Sequence, residues 1–251
     1  MTMSVYNLIS QYILIIGSIV ALVFLAVAGN EKRAAAGLTR QNWKSAVLIV
    51  LAFVGIYIVR TVVSVAVQGV SDGSGMQYVK EWAAMFKNPM MWLNIAALPI
   101  NYFFVFIAFF GEEYGWRYYL QPVLQKRFGL RAGVIILGVV WGLWHIPDDL
   151  FYYTQTSGIQ MIFAQQITCI SLGIFFAYAY MKTQNIWVPV CLHYLNNNLI
   201  PIISGTFSAD VLENQNVSWR DLPVAVVLNG LCFGFFLLAD VFKKKEVQEE
   251  E

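Results

Sequence analysis

Charge is what this sequence has least of. Asp, Glu, Lys and Arg together make up 12% of its 251 residues, where a soluble domain carries about 25%. With 59% hydrophobic residues, that deficit excludes an ordinary soluble domain and points to an all-α, polytopic membrane bundle. A net charge of +1 gives no basis for a nucleic-acid partner. Cysteine is also scarce. Cys169, Cys191 and Cys232 all lie in apolar runs, so they form no disulfide framework, and none pairs with a histidine at zinc-finger spacing. There is no internal repeat, and the only low-complexity stretch is the tail, Lys243 to Glu251. The first segment has no charged n-region and is too long for a signal h-region, which makes it a retained helix.

Apolar runs sufficient to cross about 30 Å of hydrocarbon fall at 5–29, 45–69, 90–111, 132–147, 160–181, 186–205 and 222–242. Seven spans divide the chain into N-terminal helices over 1–89, a central bundle over 90–205, and a last helix with a charged tail over 206–251. Taken alternately, one side of the membrane receives Lys32, Arg33, Arg40, Lys44, Lys126, Arg127, Arg131, Lys182 and Lys243 to Lys245. The other side receives only Lys80, Lys87 and Arg220. The positive-inside bias therefore predicts a cell-membrane protein with a cytoplasmic C-terminus. Arg60, the lone charge of the second span, reads as a side chain snorkelling to an interface or bonded to carbonyls.

Against this scarcity, the retained polar groups stand out. Glu112, Glu113 and Arg117 end the third span, although a charged side chain inside a membrane costs roughly 2.5–3.5 kcal/mol even on insertion scales. Glu113 and Arg117 are i,i+4 and share a helix face where they can pair, while Glu112 points about 100° away and is free to act. The only histidines are His145 and His193, each inside an apolar span. His145 has Trp141 at i−4, a ring placed to shield or orient the imidazole, and His193 has Asn197 at i+4. If the chain turns at Gly129, Glu112 and His145 lie 17 and 16 residues on either side of it. Both are then roughly 25 Å from the turn at 1.5 Å per residue. His193, eight residues beyond the next turn at Asn185, is roughly 12 Å deep. These depths allow one cluster in the cytoplasmic half. Pro147 is expected to end the helix of His145, and Asp148 and Asp149 read as a solvated loop.

Taken together, Glu112-Glu113-x-x-x-Arg117, Trp141-x-x-x-His145 and His193-x-x-x-Asn197 resemble the CPBP family, that of CAAX prenyl proteases and bacteriocin-processing enzymes, also called the Abi family. Its motifs are E-E-x-x-x-R, F-x-x-x-H and H-x-x-x-N/D on successive membrane helices. Trp141 stands where the family usually has phenylalanine. The family's prenyl-protein processors are described with eight helices, one more than the seven counted here.

The resemblance implies an intramembrane endopeptidase. Glu112 is then the general base and holds the water with His145, while His193 and Asn197 stabilise the oxyanion and Glu113, Arg117 and Trp141 support the site. It implies no cofactor. The alternative is zinc held by Glu112, His145 and His193, without the H-E-x-x-H of common zinc proteases. The expected partners are the bilayer and a peptide or protein substrate reached from it, cut near the cytoplasmic surface. The competing function is a non-proteolytic protein of the same fold that gives bacteriocin immunity or regulates a partner. A proton-relay transporter is a third reading, and the chain lacks the repeated halves it would show.

Overall fold

The computed structural model describes residues 3–28, 38, 41–73, 75–204 and 215–243. Lys32, Arg33, Arg40 and the tail beyond Lys243 lie outside the described residues. The described chain is helical, without strands. In order it forms α1 (Met3–Val27), α2 (Trp43–Asp72), α3 (Gly75–Lys87) and α4 (Pro89–Glu113), then a π-helical segment (Tyr114–Leu120) leading into α5 (Gln121–Phe128). After a turn come α6 (Leu130–Trp144), α7 (Ile146–Phe151), α8 (Gly158–Thr183), α9 (Trp187–Ser204) and α10 (Asp221–Cys232), followed by two 3₁₀ turns ending at Phe242.

Four helical stretches among the described residues are long and apolar enough to cross a bilayer: Trp43–Val67, Pro89–Phe128, Leu130–Phe151 and Gly158–Thr183. Pro89–Phe128 is 40 residues long, roughly 60 Å at 1.5 Å per residue and about twice the hydrocarbon thickness. Its C-terminal part therefore projects beyond the bilayer, as its Lys and Arg content requires. The reversal falls at Gly129, whose φ of +89° lies in the region that glycine adopts without steric cost.

Two expectations are corrected, and the stretch between the second and third spans carries α3. The last span is not one helix over 222–242: α10 stops after 12 residues, about 18 Å, and continues as 3₁₀ turns. Pro147 does not end the helix of His145. That helix ends at Trp144, and Pro147 occupies the first turn of α7, where its missing N–H has no helical acceptor to satisfy.

Tight packing around α8 sets the architecture. A Cβ on Gly138 of α6 would fall 2.6 Å from the Ile170 Cα, and one on Gly142 would fall 2.6 Å from the Gln166 amide nitrogen. Small residues at i and i+4 let two helix backbones approach closely in lipid. The larger core joins Phe53 of α2, Trp141 of α6, Phe175 and Phe176 of α8, Leu192 of α9 and Phe233. Polar clamps pin the remaining helices. Ser18 donates to the Ile107 carbonyl, which ties α1 to α4. Tyr194 donates to the Leu98 carbonyl at 2.8 Å and accepts from Asn101 at 3.2 Å, which ties α9 to α4. Asn42 donates to the Thr183 carbonyl at 3.0 Å, which closes the end nearest the Gly129 hairpin.

Candidate active site

The buried charges of α4 and the π segment come first. Glu113 and Arg117 are both 0% exposed, and the Arg117 Nε donates to Glu113 Oε2 at 2.8 Å. Arg117 also donates to the Gly173 carbonyl of α8 at 3.2 Å. Its guanidinium lies 5.2 Å from the Trp141 ring and 5.5 Å from the Phe176 ring, within cation–π range. The pair read from the sequence therefore exists, and it is fully desolvated.

The other oxygen of that carboxylate reaches a residue 80 positions away. Glu113 Oε1 lies 2.9 Å from His193 Nδ1, and His193 is itself buried. A carboxylate can only accept, so His193 carries its proton on Nδ1 and turns Nε2 away from the pair. Phe109 at 5.1 Å and Trp141 at 5.4 Å pack edge-on against the ring. Trp141 is thus wedged between Arg117 and both histidines.

His145 forms the turn between α6 and α7. Its Nδ1 sits 2.9 Å from the Trp141 carbonyl, an acceptor, so the neutral ring is the Nδ1–H tautomer and Nε2 carries a lone pair. Its ring lies 5.9 Å from that of Trp141. The expected aromatic partner is therefore present, and the stronger constraint is the same residue's backbone. The Cys169 sulfur lies 3.8 Å from His145 Nδ1.

His145, His193 and Asn197 line one cavity of about 480 Å³. Asn197 accepts from Asn196 at 3.0 Å, which leaves its own NH₂ as a donor. Glu112 stands apart from this trio. It lines a smaller cavity of about 360 Å³ with Gly17, Trp116 and Trp144, and no hydrogen bond joins it to either histidine among the described residues. One of its oxygens, Oε2, is buried without a partner. Trp144, which lines the smaller cavity with Glu112, is the residue next to His145.

The larger cavity runs from the histidines away from the Gly129 hairpin. Its lining comes from the later half of α2, the earlier half of α8 and the start of α10. Residues 215–217 cap the neighbouring loop: Gln215 N–H donates to the Tyr153 carbonyl at 2.9 Å, and Val217 N–H to Ser157 Oγ at 3.0 Å. Tyr152, Tyr153, Gln215 and Val217, from the loops that precede α8 and α10, also line this cavity.

Sequence reasoning missed several of the site's neighbours. Asp149 is not in a solvated loop; it lies on α7 at 0% exposure, with neither oxygen hydrogen-bonded. Burial, then Asp148 and Asp149, push the Tyr153 phenol up. Arg60 does not simply snorkel; it lines the same cavity as the histidines, as do Tyr57 and Asn229. An intramembrane cation was visible in the sequence, but nothing in its spacing linked it to His193.

Zinc, the metal the resemblance admits, needs three converging donors in a site of about tetrahedral geometry. Among the described residues, no three His, Cys, Asp or Glu side chains come together to hold a metal ion. His193 Nδ1 is also committed to Glu113, and His145 Nδ1 to a carbonyl. The donor set of Glu112, His145 and His193 does not fit a zinc ion as arranged.

The family described as type II CAAX prenyl endopeptidase Rce1-like matches residues 93–199, a stretch that includes every motif residue from Glu112 to Asn197. CAAX prenyl protease 2 of Methanococcus maripaludis is 27% identical over 125 residues, covering 46% of this chain and 45% of that protein. Over these residues the chain is similar to the CAAX prenyl proteases, the family its motifs resemble. It is a multi-pass helical membrane protein. The chain spans about half the length of the curated relative it matches, and no solved structure matches it. Arg60 and Asn229 lie outside the matched region.

Proposed function

We propose that this chain is an intramembrane endopeptidase that hydrolyses a peptide bond of a membrane-associated or leader-type peptide. The observation that carries this reading is the convergence of His145, His193 and Asn197 on one cavity, with His193 oriented by the buried Glu113–Arg117 pair. Holding two charges out of water costs several kcal/mol per ion, and here the arrangement fixes one imidazole.

In this mechanism the His145 Nε2 lone pair accepts a hydrogen bond from a water. Glu112 takes the water's other proton, and the hydroxide oxygen bonds to the peptide carbonyl carbon. The carbonyl π electrons move onto oxygen. In its protonated form His193 keeps Nδ1–H on Glu113 and donates from Nε2 to that oxyanion, beside the Asn197 NH₂. As the carbonyl reforms, the C–N bond breaks and the leaving nitrogen takes the proton from Glu112. Water ends as the hydroxyl of the new carboxylic acid and the amine hydrogen, and the acid then releases its proton to solvent. Glu113, Arg117 and Trp141 hold the imidazoles and do not touch the substrate. No metal takes part in any step.

The separation of Glu112 from both histidines favours one second reading, a non-proteolytic membrane protein of the same fold that gives bacteriocin immunity or regulates a partner. Incubating the purified protein with a panel of membrane-anchored and leader-type peptides, with and without EDTA and phenanthroline, separates the two readings. The proposal expects new peptide termini by mass spectrometry, undiminished by chelation and accompanied by less than stoichiometric zinc in elemental analysis. An intact peptide pool would favour the second reading. Loss on chelation with recovery on adding Zn²⁺ would end the metal-free mechanism.

A further inference from the structure

The far end of the larger cavity holds a cation that forms no ion pair among the described residues. Arg60 of α2 lies on its wall, half-buried, with Nε enclosed and lacking a hydrogen-bond partner. Its guanidinium carbon is 5.9 Å from the Tyr57 ring centroid. Among the described residues, no carboxylate pairs with it: the ion pairs are Glu113–Arg117, Glu113–His193 and Asp240–Lys243. Asp221 lines the same cavity, but its Oδ2 accepts from the Ser218 N–H at 2.7 Å. A guanidinium without a partner at membrane depth is costly to retain.

A second group meets it there. Asn229 of α10 is 1% exposed and lines the same cavity, with both amide atoms enclosed and without a partner. Buried side-chain amides are normally hydrogen-bonded. Phe53 of α2 packs 5.7 Å from Phe233 at the end of α10, and Arg60 and Asn229, on those same two helices, both line the cavity beside that contact. The route from the histidines to that corner is short: the Tyr57 hydroxyl is 3.5 Å from the Asn196 carbonyl, and Arg60 is one turn along α2 from Tyr57.

We infer that Arg60 and Asn229 form a subsite that holds a carboxylate of the substrate while the scissile bond lies at His193 and Asn197. A guanidinium presents paired N–H donors that match a carboxylate, and the Asn229 NH₂ supplies one more. The cavity volume of about 480 Å³ is within the roughly 300–1,000 Å³ of pockets that enclose small ligands. It therefore suits the end of a peptide, or one acidic side chain, and not a folded segment. The inference rests on the peptidase reading above and adds what its substrate carries.

The test is a binding measurement on Glu112→Gln protein in detergent, so that it does not depend on turnover. The probes are an acetylated apolar tetrapeptide with a free terminal carboxylate, its carboxamide, and a carboxamide with glutamate as the last residue. The carboxylate should bind about tenfold tighter than the carboxamide, as charge-assisted hydrogen bonds allow. The preference should vanish on adding Arg60→Gln, weaken with Asn229→Ala, and persist in part with Arg60→Lys, which keeps charge but loses the fork. Equal tightness of the glutamyl carboxamide would make a side-chain carboxylate the source; a lag behind the free acid would make it the terminus. Equal binding of acid and carboxamide, a preference that survives Arg60→Gln, or no binding of any probe at millimolar concentration overturns the subsite. A carboxylate preference in a protein whose unsubstituted form cleaves nothing would sink the peptidase reading and leave the subsite standing.

Discussion

Glu113 divides its carboxylate between two partners, with Oε1 2.9 Å from His193 Nδ1 and Oε2 2.8 Å from Arg117 Nε. Removing either charge strips the other of its buried ion-pair partner, which costs about 3–5 kcal/mol. Glu113→Gln and Arg117→Ala should therefore each lower thermal stability in detergent by that amount. Replacing the pair together, with Glu113→Gln and Arg117→Met, should recover most of the stability, because uncharged substitutes of similar volume relieve both charges. It should not recover peptide cleavage, since His193 loses its anionic anchor. Double-variant cleavage near that of the unsubstituted protein would show that the pair only stabilises the fold.

Trp141 touches both imidazoles and lies against Arg117. Trp141→Phe keeps a ring in that wedge and should retain most activity and stability. Its indole nitrogen has no partner to lose. Trp141→Ala should destabilise by about 3–5 kcal/mol and lose activity with it. Circular-dichroism melts together with a cleavage assay check both.

Gly138 is where α6 and α8 approach most closely at the site. Its Cβ position is 2.6 Å from the Ile170 Cα, a backbone atom that cannot move aside. Gly138→Leu should separate the helices and collapse the folded yield, at about 1–3 kcal/mol or more. Gly55 of α2, with nothing within 4 Å of its Cβ position, is the control, and Gly55→Ala should be neutral or stabilising by about 0.5–1 kcal/mol. Size-exclusion profiles of the two variants should differ accordingly.

The motifs were legible because they are local. Glu113 with Arg117, and Trp141 with His145, are four residues apart, and helical periodicity alone puts each pair on one face. The reversal at Gly129 followed from residue counting. What was not legible depends on which helices meet. The Glu113–His193 contact joins residues 80 positions apart, and it arises because α9 packs against α4 through the Tyr194–Leu98 clamp. Asp148 and Asp149 look alike in sequence, and the packing of α7 on α8 buries Asp149. Arg60 reaches the histidine cavity because Tyr57 abuts Asn196. Glu112 is the reverse case. Its motif put it beside His145, and the fold sets it at the wall of a neighbouring cavity.

The Lys and Arg distribution predicts a C-terminus in the cytoplasm, with the larger cavity toward the opposite face. A C-terminal alkaline phosphatase fusion should be inactive and a C-terminal fluorescent-protein fusion bright. The opposite pattern would invert the bundle and give the cavity a cytoplasmic mouth.

The central claim is that Glu112 and His145 act on one water. The most direct measurement is the cleavage rate of Glu112→Gln, His145→Ala and the double variant on a single peptide, with folding checked by melting temperature. Each single change should cost about 10²–10⁴ in rate, the range of general acid–base catalysis, and the double variant should be no slower than the slower single, as for groups that work as a unit. Turnover retained in either single variant, or a double-variant loss equal to the product of the two single losses, would contradict the shared water.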